Sequence, residues 1–287
     1  MANTQDTGKF RTNIKDQFYT NERVAKQCIA EILRLVPSIS QYVWIEPSAG
    51  KGSFLHNIPS TFDKIGLDVD PKSPDIQTQD YLTWNPTSSK PIVVFGNPPF
   101  GRQSSLAKAF IRKSCQFASV IAFILPKSFT KPSMNNAFDS LFHCIHSVEL
   151  ERNAFVLNDS DYDVPCVFQI WQKKSHPRVL EAPILPSKFT YTKCNQPYDI
   201  AFRRVGGLAG KCYINDGTHY SIQSHYFIKF DDDIVSHLPA IITKINDHPF
   251  PSNTVGPRSL SKNEVNEVLN SIVSSETLGA TTESRVG

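Results

Sequence analysis

The sequence predicts an α/β protein: an open, largely parallel sheet flanked by helices, followed by a smaller β-rich addition. Three stretches carry this reading. The apolar run Ile92-Val93-Val94-Phe95 stops at Gly96-Asn97-Pro98-Pro99-Phe100-Gly101. The run Tyr42-Val43-Trp44-Ile45 leads into Glu46-Pro47-Ser48-Ala49-Gly50-Lys51-Gly52-Ser53-Phe54-Leu55. A third run, Lys64-Ile65-Gly66-Leu67, ends in Asp68-Val69-Asp70-Pro71. Each reads as a short strand whose C-terminal end opens into a turn, and ligands of open α/β sheets bind at that edge.

The turns carry different chemistry. Glycines at 50 and 52 allow a tight turn and a close backbone approach to a ligand. An acid at the end of the following strand stands where a Rossmann-like fold binds ribose hydroxyls. In the Asn-Pro-Pro-Phe turn the two prolines fix φ and remove two backbone donors, so the turn presents acceptors. Asn97 Oδ1 and the Pro98 carbonyl suit a flat molecule with an exocyclic NH₂ group, and Phe100 can stack on its ring. The plain alternative is a strand-ending turn, since Asn-Pro is a common turn dipeptide. A lone Gly-x-Gly would be weak. The order of glycine turn, acidic strand end and Asn-Pro-Pro-Phe turn makes coincidence a poor explanation.

With these motifs in place, residues 14–173 resemble the S-adenosylmethionine-dependent amino-methyltransferases. They are most similar to the adenine-N6 DNA methyltransferases of the gamma arrangement, with cofactor motifs first, catalytic turn next and target recognition last. The resemblance implies a Rossmann-like seven-stranded methyltransferase sheet, parallel except for a late hairpin. It implies S-adenosylmethionine as cofactor. Asp16-Gln17-Phe18-Tyr19-Thr20 resembles the N-terminal cofactor motif, although this chain has Thr20-Asn21 where the family often has Thr-Pro. Glu46, Pro47, Ser48, Gly50 and Gly52 match the methionine-binding turn, Asp68 the ribose-binding acid, and Asp80, beside Tyr81, the acid that accepts from the cofactor's adenine. Asn97, Pro98, Pro99 and Phe100 match the catalytic turn, with Asn97 also at the cofactor's edge. Phe155, in Asn153-Ala154-Phe155-Val156-Leu157, falls where the family has a second aromatic wall around the extruded base.

Simpler readings stand beside these. Glu46 can be an acid near a helix N-terminus, Asp70 a turn cap before Pro71, Asp80 a strand end, and Tyr81 and Phe155 core side chains. RNA adenine methyltransferases also use Asn-Pro-Pro-Phe turns, and a single-stranded loop needs less unstacking. Protein glutamine methyltransferases share the turn chemistry, with tyrosine more typical at the position of Phe100. A binding subunit that kept the fold without catalysis is a further class.

Charge favours a nucleic acid, and the resemblance implies DNA before RNA. The formal net charge is only +3, but it is unevenly spread. Residues 101–135 carry Arg102, Lys108, Arg112, Lys113, Lys127 and Lys131 and no acid. A basic band that begins at the catalytic turn is the footprint expected for a polyanion; a solvated helix face is its ordinary alternative. Arg203, Arg204 and Lys211 frame the glycine-rich segment 201–211, which reads equally as a phosphate or base contact and as a hairpin turn. It lacks the spacing of a Walker loop.

The remaining elements follow from periodicity. Helices are expected over 24–35, 105–117 and 135–144, and strands over 120–125, 145–151, 164–172, 189–192 and 225–230. Ser261-Lys262-Asn263-Glu264 is a capping-box pattern before a C-terminal helix, with residues 275–287 expected to fray. Prolines 177, 183 and 186 mark a break, giving an expected catalytic domain over 1–175 and a target-recognition region over 176–287. The apolar fraction of 40% and charged fraction of 20% are those of an ordinary globular chain. Six cysteines form no Cys-x-x-Cys pair, so no structural metal is expected. Residues 1–15 lack the apolar core of a signal peptide, and no stretch approaches a membrane span. An intracellular, reducing setting is the expectation.

Overall fold

A computed structural model of the chain describes residues 19–157, 160–180, 182–251 and 257–283. The chain divides into two compact units, with the boundary between Leu180 and Glu181.

In the first unit, β1 (Tyr19–Thr20) precedes α1 (Glu22–Leu35). Asn21 caps α1 by accepting from Arg23 N at 3.0 Å, which replaces the donor-free Thr-Pro of the resembled family with an ordinary helix cap. Then come β2 (Val43–Glu46), β3 (Lys64–Asp68), β4 (Gln77–Thr78) and β5 (Ile92–Gly96). They are followed by α2 (Ser105–Cys115), β6 (Val120–Pro126), α3 (Pro132–Asn135), β7 (Phe142–Glu149), β8 (Phe155–Leu157), β9 (Ser160–Tyr162) and β10 (Cys166–Lys173).

Seven of these strands form one sheet in the order β4-β3-β2-β5-β6-β10-β7. All neighbours pair in parallel except β10, which runs antiparallel to both β6 and β7. This is the expected Rossmann-like, seven-stranded, mostly parallel sheet with its late hairpin. β5 and β6 are buried at every position, as parallel strands covered on both faces must be. On one face Val43, Ile45, Val94, Ile121 and Phe123 form a core with Ala107, Phe110 and Ile111 of α2. The other face carries Trp44 and Phe95, whose rings meet at 5.3 Å, with Phe54 against Phe95. Strand order reverses at β2, so the ligand crevice of such a sheet lies beyond the C-terminal ends of β2 and β5.

One expectation is corrected. The segment 135–144 is not a helix followed by a strand from 145: α3 ends at Asn135, and β7 already begins at Phe142. Arg178 supplies the reason. Its guanidinium donates to the carbonyls of Asn135, Phe138, Asp139 and Phe142, and within the segment Asn135 O and Asp139 O accept from the i+3 amides of Phe138 and Phe142, which gathers the chain into turns around the cation. Pairing of Phe142 with Lys173 and of Glu149 with Val167 draws the rest into the sheet. Local periodicity loses to a long-range ladder. A small separate sheet, β1-β8-β9, was not anticipated; it pairs Thr20 with Phe155.

The second unit holds β11 (Phe189–Thr192), β12 (Ile200–Arg203), β13 (Cys212–Ile214) and β14 (His225–Phe230), an antiparallel sheet in the order β11-β14-β12-β13. Helices α4 (Asp232–Val235), α5 (Leu238–Asp247) and α6 (Lys262–Glu283) follow. Its core joins Phe189, Ile200, Phe202, Ile228 and Phe230 to Ile241, Ile245, Val265, Leu269 and Val273. The capping box forms: Ser261 N donates to Glu264 Oε2 at 2.8 Å, and Glu264 N to Ser261 Oγ at 3.3 Å. α6 continues to Glu283; 284–287 lie outside the described residues. No helix among the described residues is long and apolar enough to cross a membrane.

Candidate active site

The glycine turn after β2 is sewn to the end of β3 by three bonds. Ala49 N donates to Leu67 O at 2.9 Å, Gly50 N to Asp68 Oδ2 at 2.8 Å, and Lys72 N to Gly50 O at 2.8 Å. Gly50 and Gly52 both sit at positive φ, 52° and 85°, where a side chain is strained. Asp68 also accepts from Asp70 N through Oδ1 at 2.8 Å. Each carboxylate oxygen thus holds one backbone N–H and keeps a lone pair for a further donor. Asp70 pairs with Lys72 at 2.8 Å, in keeping with a turn role.

Glu46 ends β2 and is 2% exposed. Its Oε2 accepts from Leu55 N at 2.9 Å. Burial pushes its carboxyl well above the usual carboxylate range, the Leu55 N–H opposes that shift, and nearby Asp68 adds to it. The side chain fills the space under Gly96: a Cβ there would stand 3.1 Å from Glu46 Cγ. Gly96 has φ 121°, so this close approach and this backbone both require glycine.

The Asn-Pro-Pro-Phe turn leaves β5 beside the glycine turn. Ser48 Oγ donates to Asn97 O at 3.1 Å. The two motifs, 49 residues apart in sequence, are in direct contact at the point where strand order reverses. Asn97 and Pro99 are half-buried and Pro98 is buried. Phe100 is 5% exposed. Beyond it, Gln103 and Ser104 take left-handed backbone, at φ 53° and 60°, just before α2.

Tyr19 and Thr20 come to the same edge through β1. The Tyr19 ring lies over Gly50, with its Cε1 3.0 Å from where a Cβ would stand, and Lys51 Nζ sits 4.8 Å from the ring centroid. Thr20 is 6% exposed, and its Oγ1 is buried with no hydrogen-bond partner among the described residues. Asp16, Gln17 and Phe18 lie outside the described residues.

Several residues expected at the site also have partners within the fold. The Tyr81 side chain is a core side chain: it is 1% exposed, its hydroxyl lies 2.7 Å from Ser114 Oγ, and its ring packs on Phe110. Asp80 is exposed and accepts from Leu82 N at 2.9 Å, closing its own turn. Phe155 is fully buried and offers no ring face as a second wall. Arg102 is exposed and without an ion-pair partner among the described residues, as are Lys108 and Arg112 in that second respect. Lys127, by contrast, pairs with Glu149 at 2.8 Å, and Lys113 donates to Asn85.

In the second unit, 204–211 is a hairpin connection, closed by Gly210 N to Arg203 O at 2.8 Å and Arg203 N to Lys211 O at 2.7 Å. Arg203 donates to Val205 O, Arg204 to Gln223 O, and Lys211 to Asn246 O at the end of α5. These cations are held by the unit's own carbonyls and do not converge as a phosphate cradle. The residue that sequence reasoning undervalued is Ser48. The resemblance places it against cofactor, and nothing local signals its bond to Asn97, on another strand's turn.

No family model matches the chain, and no curated protein matches it. Solved structures do. A Pyrococcus horikoshii protein is similar at 17% identity and TM-score 0.44, over 55% of this chain and 87% of that one. The 23S rRNA methyltransferase ErmE is similar at 15% and 0.40, over 56% and 71%. The magnesium protoporphyrin IX methyltransferase of Synechocystis, solved with its cofactor bound, is similar at 10% and 0.40, over 53% and 79%. The chemistry of the site is read from its own residues.

Proposed function

We propose that the protein transfers a methyl group from S-adenosylmethionine to the exocyclic amino nitrogen of adenine in a nucleic acid, with DNA the favoured substrate. The observation that carries the reading is the contact of the glycine turn with the Asn-Pro-Pro-Phe turn, Ser48 Oγ to Asn97 O at 3.1 Å, at the crevice of the sheet. One turn suits a nucleoside with an amino-acid tail; the other suits a flat amino group. Their contact sets donor and acceptor side by side.

The residues fit that cofactor. Asp68 has lone pairs left for ribose hydroxyls, the glycines let the backbone approach closely, and the buried Thr20 hydroxyl has no partner among the described residues. When bound, S-adenosylmethionine supplies an electrophilic methyl group. The chain's own residues do the rest. An exocyclic NH₂ conjugated to a purine is a weak nucleophile. Asn97 Oδ1 and Pro98 O accept its two hydrogens, which draws the nitrogen towards tetrahedral geometry and frees its lone pair. These acceptors also stabilise the positive charge that develops on the nitrogen; as the N–CH₃ bond forms the S–CH₃ bond breaks, the neutral thioether departs, and the surplus proton then passes from the nitrogen to solvent. Holding the reacting atoms in line accounts for most of the acceleration. Phe100 stacks on the base. At 5% exposure its ring is reached only if neighbouring residues move as the base enters, and the left-handed Gln103 and Ser104 lie in the turn just after it. Duplex adenine must leave its stack to reach this turn.

Tritiated S-adenosylmethionine incubated with matched DNA, RNA and protein, followed by nucleoside analysis, tests the reading. Label in N6-methyladenine of DNA is expected. Label confined to RNA changes the substrate, label in protein changes the class, and failure to bind cofactor removes the enzyme reading.

A further inference from the structure

Resting on the methyl-transfer reading, we propose that Ser48 is a positioning residue: its hydroxyl fixes the orientation of the Asn97–Pro98 peptide relative to the glycine turn, so that Asn97 Oδ1 and Pro98 O converge on one amino group.

The need for such a bond follows from the ladder. β2 and β5 pair at Val43 with Ile92, Trp44 with Val93 and Ile45 with Val94, and no pair follows. Beyond that point the backbones part, and Pro47 has no N–H to offer across the gap. On its other flank the catalytic turn is still tied to β6, through the pairing of Gly96 with Phe123. Pro98 and Pro99 cannot fasten the turn by their own amides. Pro98 O is reserved for substrate. Asn97 O is a handle on the β2 side, and Ser48 Oγ takes it at 3.1 Å.

The geometry of the peptide makes this handle effective. The Asn97–Pro98 unit is planar, and the proline ring fixes φ of Pro98. Fixing the direction of Asn97 O therefore restricts the plane that precedes Pro98 O. Glu46 supports the same junction from beneath, where its Cγ would stand 3.1 Å from a Cβ on Gly96. The hydroxyl bond and the glycine contact lock the two turns at neighbouring points, so the cofactor-side turn sets the aim of the acceptor-side turn.

The full chain is compared as wild type, Ser48→Ala and Ser48→Thr. In the cofactor-free protein, deuterium exchange at the Asn97, Phe100 and Gly101 amides should quicken in Ser48→Ala, with 120–126 unchanged. S-adenosylmethionine affinity by calorimetry should change by less than about twofold. Turnover at saturating cofactor should fall about 10- to 100-fold, the scale of a misplaced reacting group, and Ser48→Thr should restore most of it. Unchanged exchange at 97–101 overturns the proposal. So does a loss of cofactor affinity that accounts for the whole loss of rate, because Ser48 would then act on cofactor alone. If wild type transfers no methyl group to any substrate, the functional reading fails, and the exchange result still decides whether Ser48 orders the turn.

Discussion

Gly50 N donates to Asp68 Oδ2 at 2.8 Å, so the acid proposed to bind ribose is also the latch that closes the glycine turn. Asp68→Ala removes both functions. Cofactor affinity should weaken by about 1.5–3 kcal/mol, the range for charge-assisted hydrogen bonds, and the melting temperature should drop as Gly50 N and Asp70 N lose their acceptor. Asp68→Asn keeps one acceptor oxygen and should fall between. Calorimetry with S-adenosylmethionine and thermal melts separate the effects. Unchanged affinity in Asp68→Ala would take Asp68 out of the cofactor site.

Asn97→Ala should abolish methyl transfer and leave cofactor binding nearly intact, because Asn97 acts on the target nitrogen. Loss of an interaction made mainly in the transition state lowers kcat and kcat/KM together. Phe100→Ala should lose base binding as well, by about 1–3 kcal/mol for one stacked base, whereas Phe100→Trp keeps a ring face and part of both. Near-normal turnover of Asn97→Ala on an adenine substrate would reduce the Asn-Pro-Pro-Phe turn to a structural one.

Glu46 gives a pH prediction. Its native carboxyl is held above the usual carboxylate range by burial, so between the unfolded value of about 4.3 and the raised native value the folded chain binds more protons than the unfolded one. Stability contributed by this group is complete below the unfolded value and is lost as pH rises through the native one. Glu46→Gln, a neutral isostere that still accepts from Leu55 N, should flatten that part of the stability–pH curve and match or exceed wild type at neutral pH. Denaturant melts across pH measure it; an unaltered slope in the variant would show Glu46 to be ionised in the native state.

The basic residues divide into two groups. Arg102→Ala should weaken DNA binding and lower the log–log salt slope by about 0.9 if it meets one phosphate of a duplex. Lys211→Ala should leave that slope unchanged, because its ammonium serves the last turn of α5; its cost should be stability of the second unit, about 0.3–1 kcal/mol. Filter binding over a salt series, with melts, checks both. Binding indifferent to salt would point away from a nucleic acid.

The sequence by itself determined the motifs and their order: a glycine turn after one strand, an acid at the end of the next, and an acceptor-rich turn after a third. Those features are local. Glycine's tolerance of positive φ and proline's missing N–H act over a few residues, so they can be read from a few residues, and the capping box at Ser261 and Glu264 is legible for the same reason. The tertiary structure decided whatever depends on a distant partner. Arg178 and β10 turned 135–144 from helix into loop and strand. Packing against α2 placed Tyr81 in the core, the β1–β8 ladder enclosed Phe155, a hairpin carbonyl took Arg203, and a carbonyl at the end of α5 took Lys211. Ser48 belongs to this second group. Its neighbours in sequence mark it as part of the glycine turn, but its bond to Asn97 exists only because parallel pairing of β2 with β5 brings two turns to one edge of the sheet.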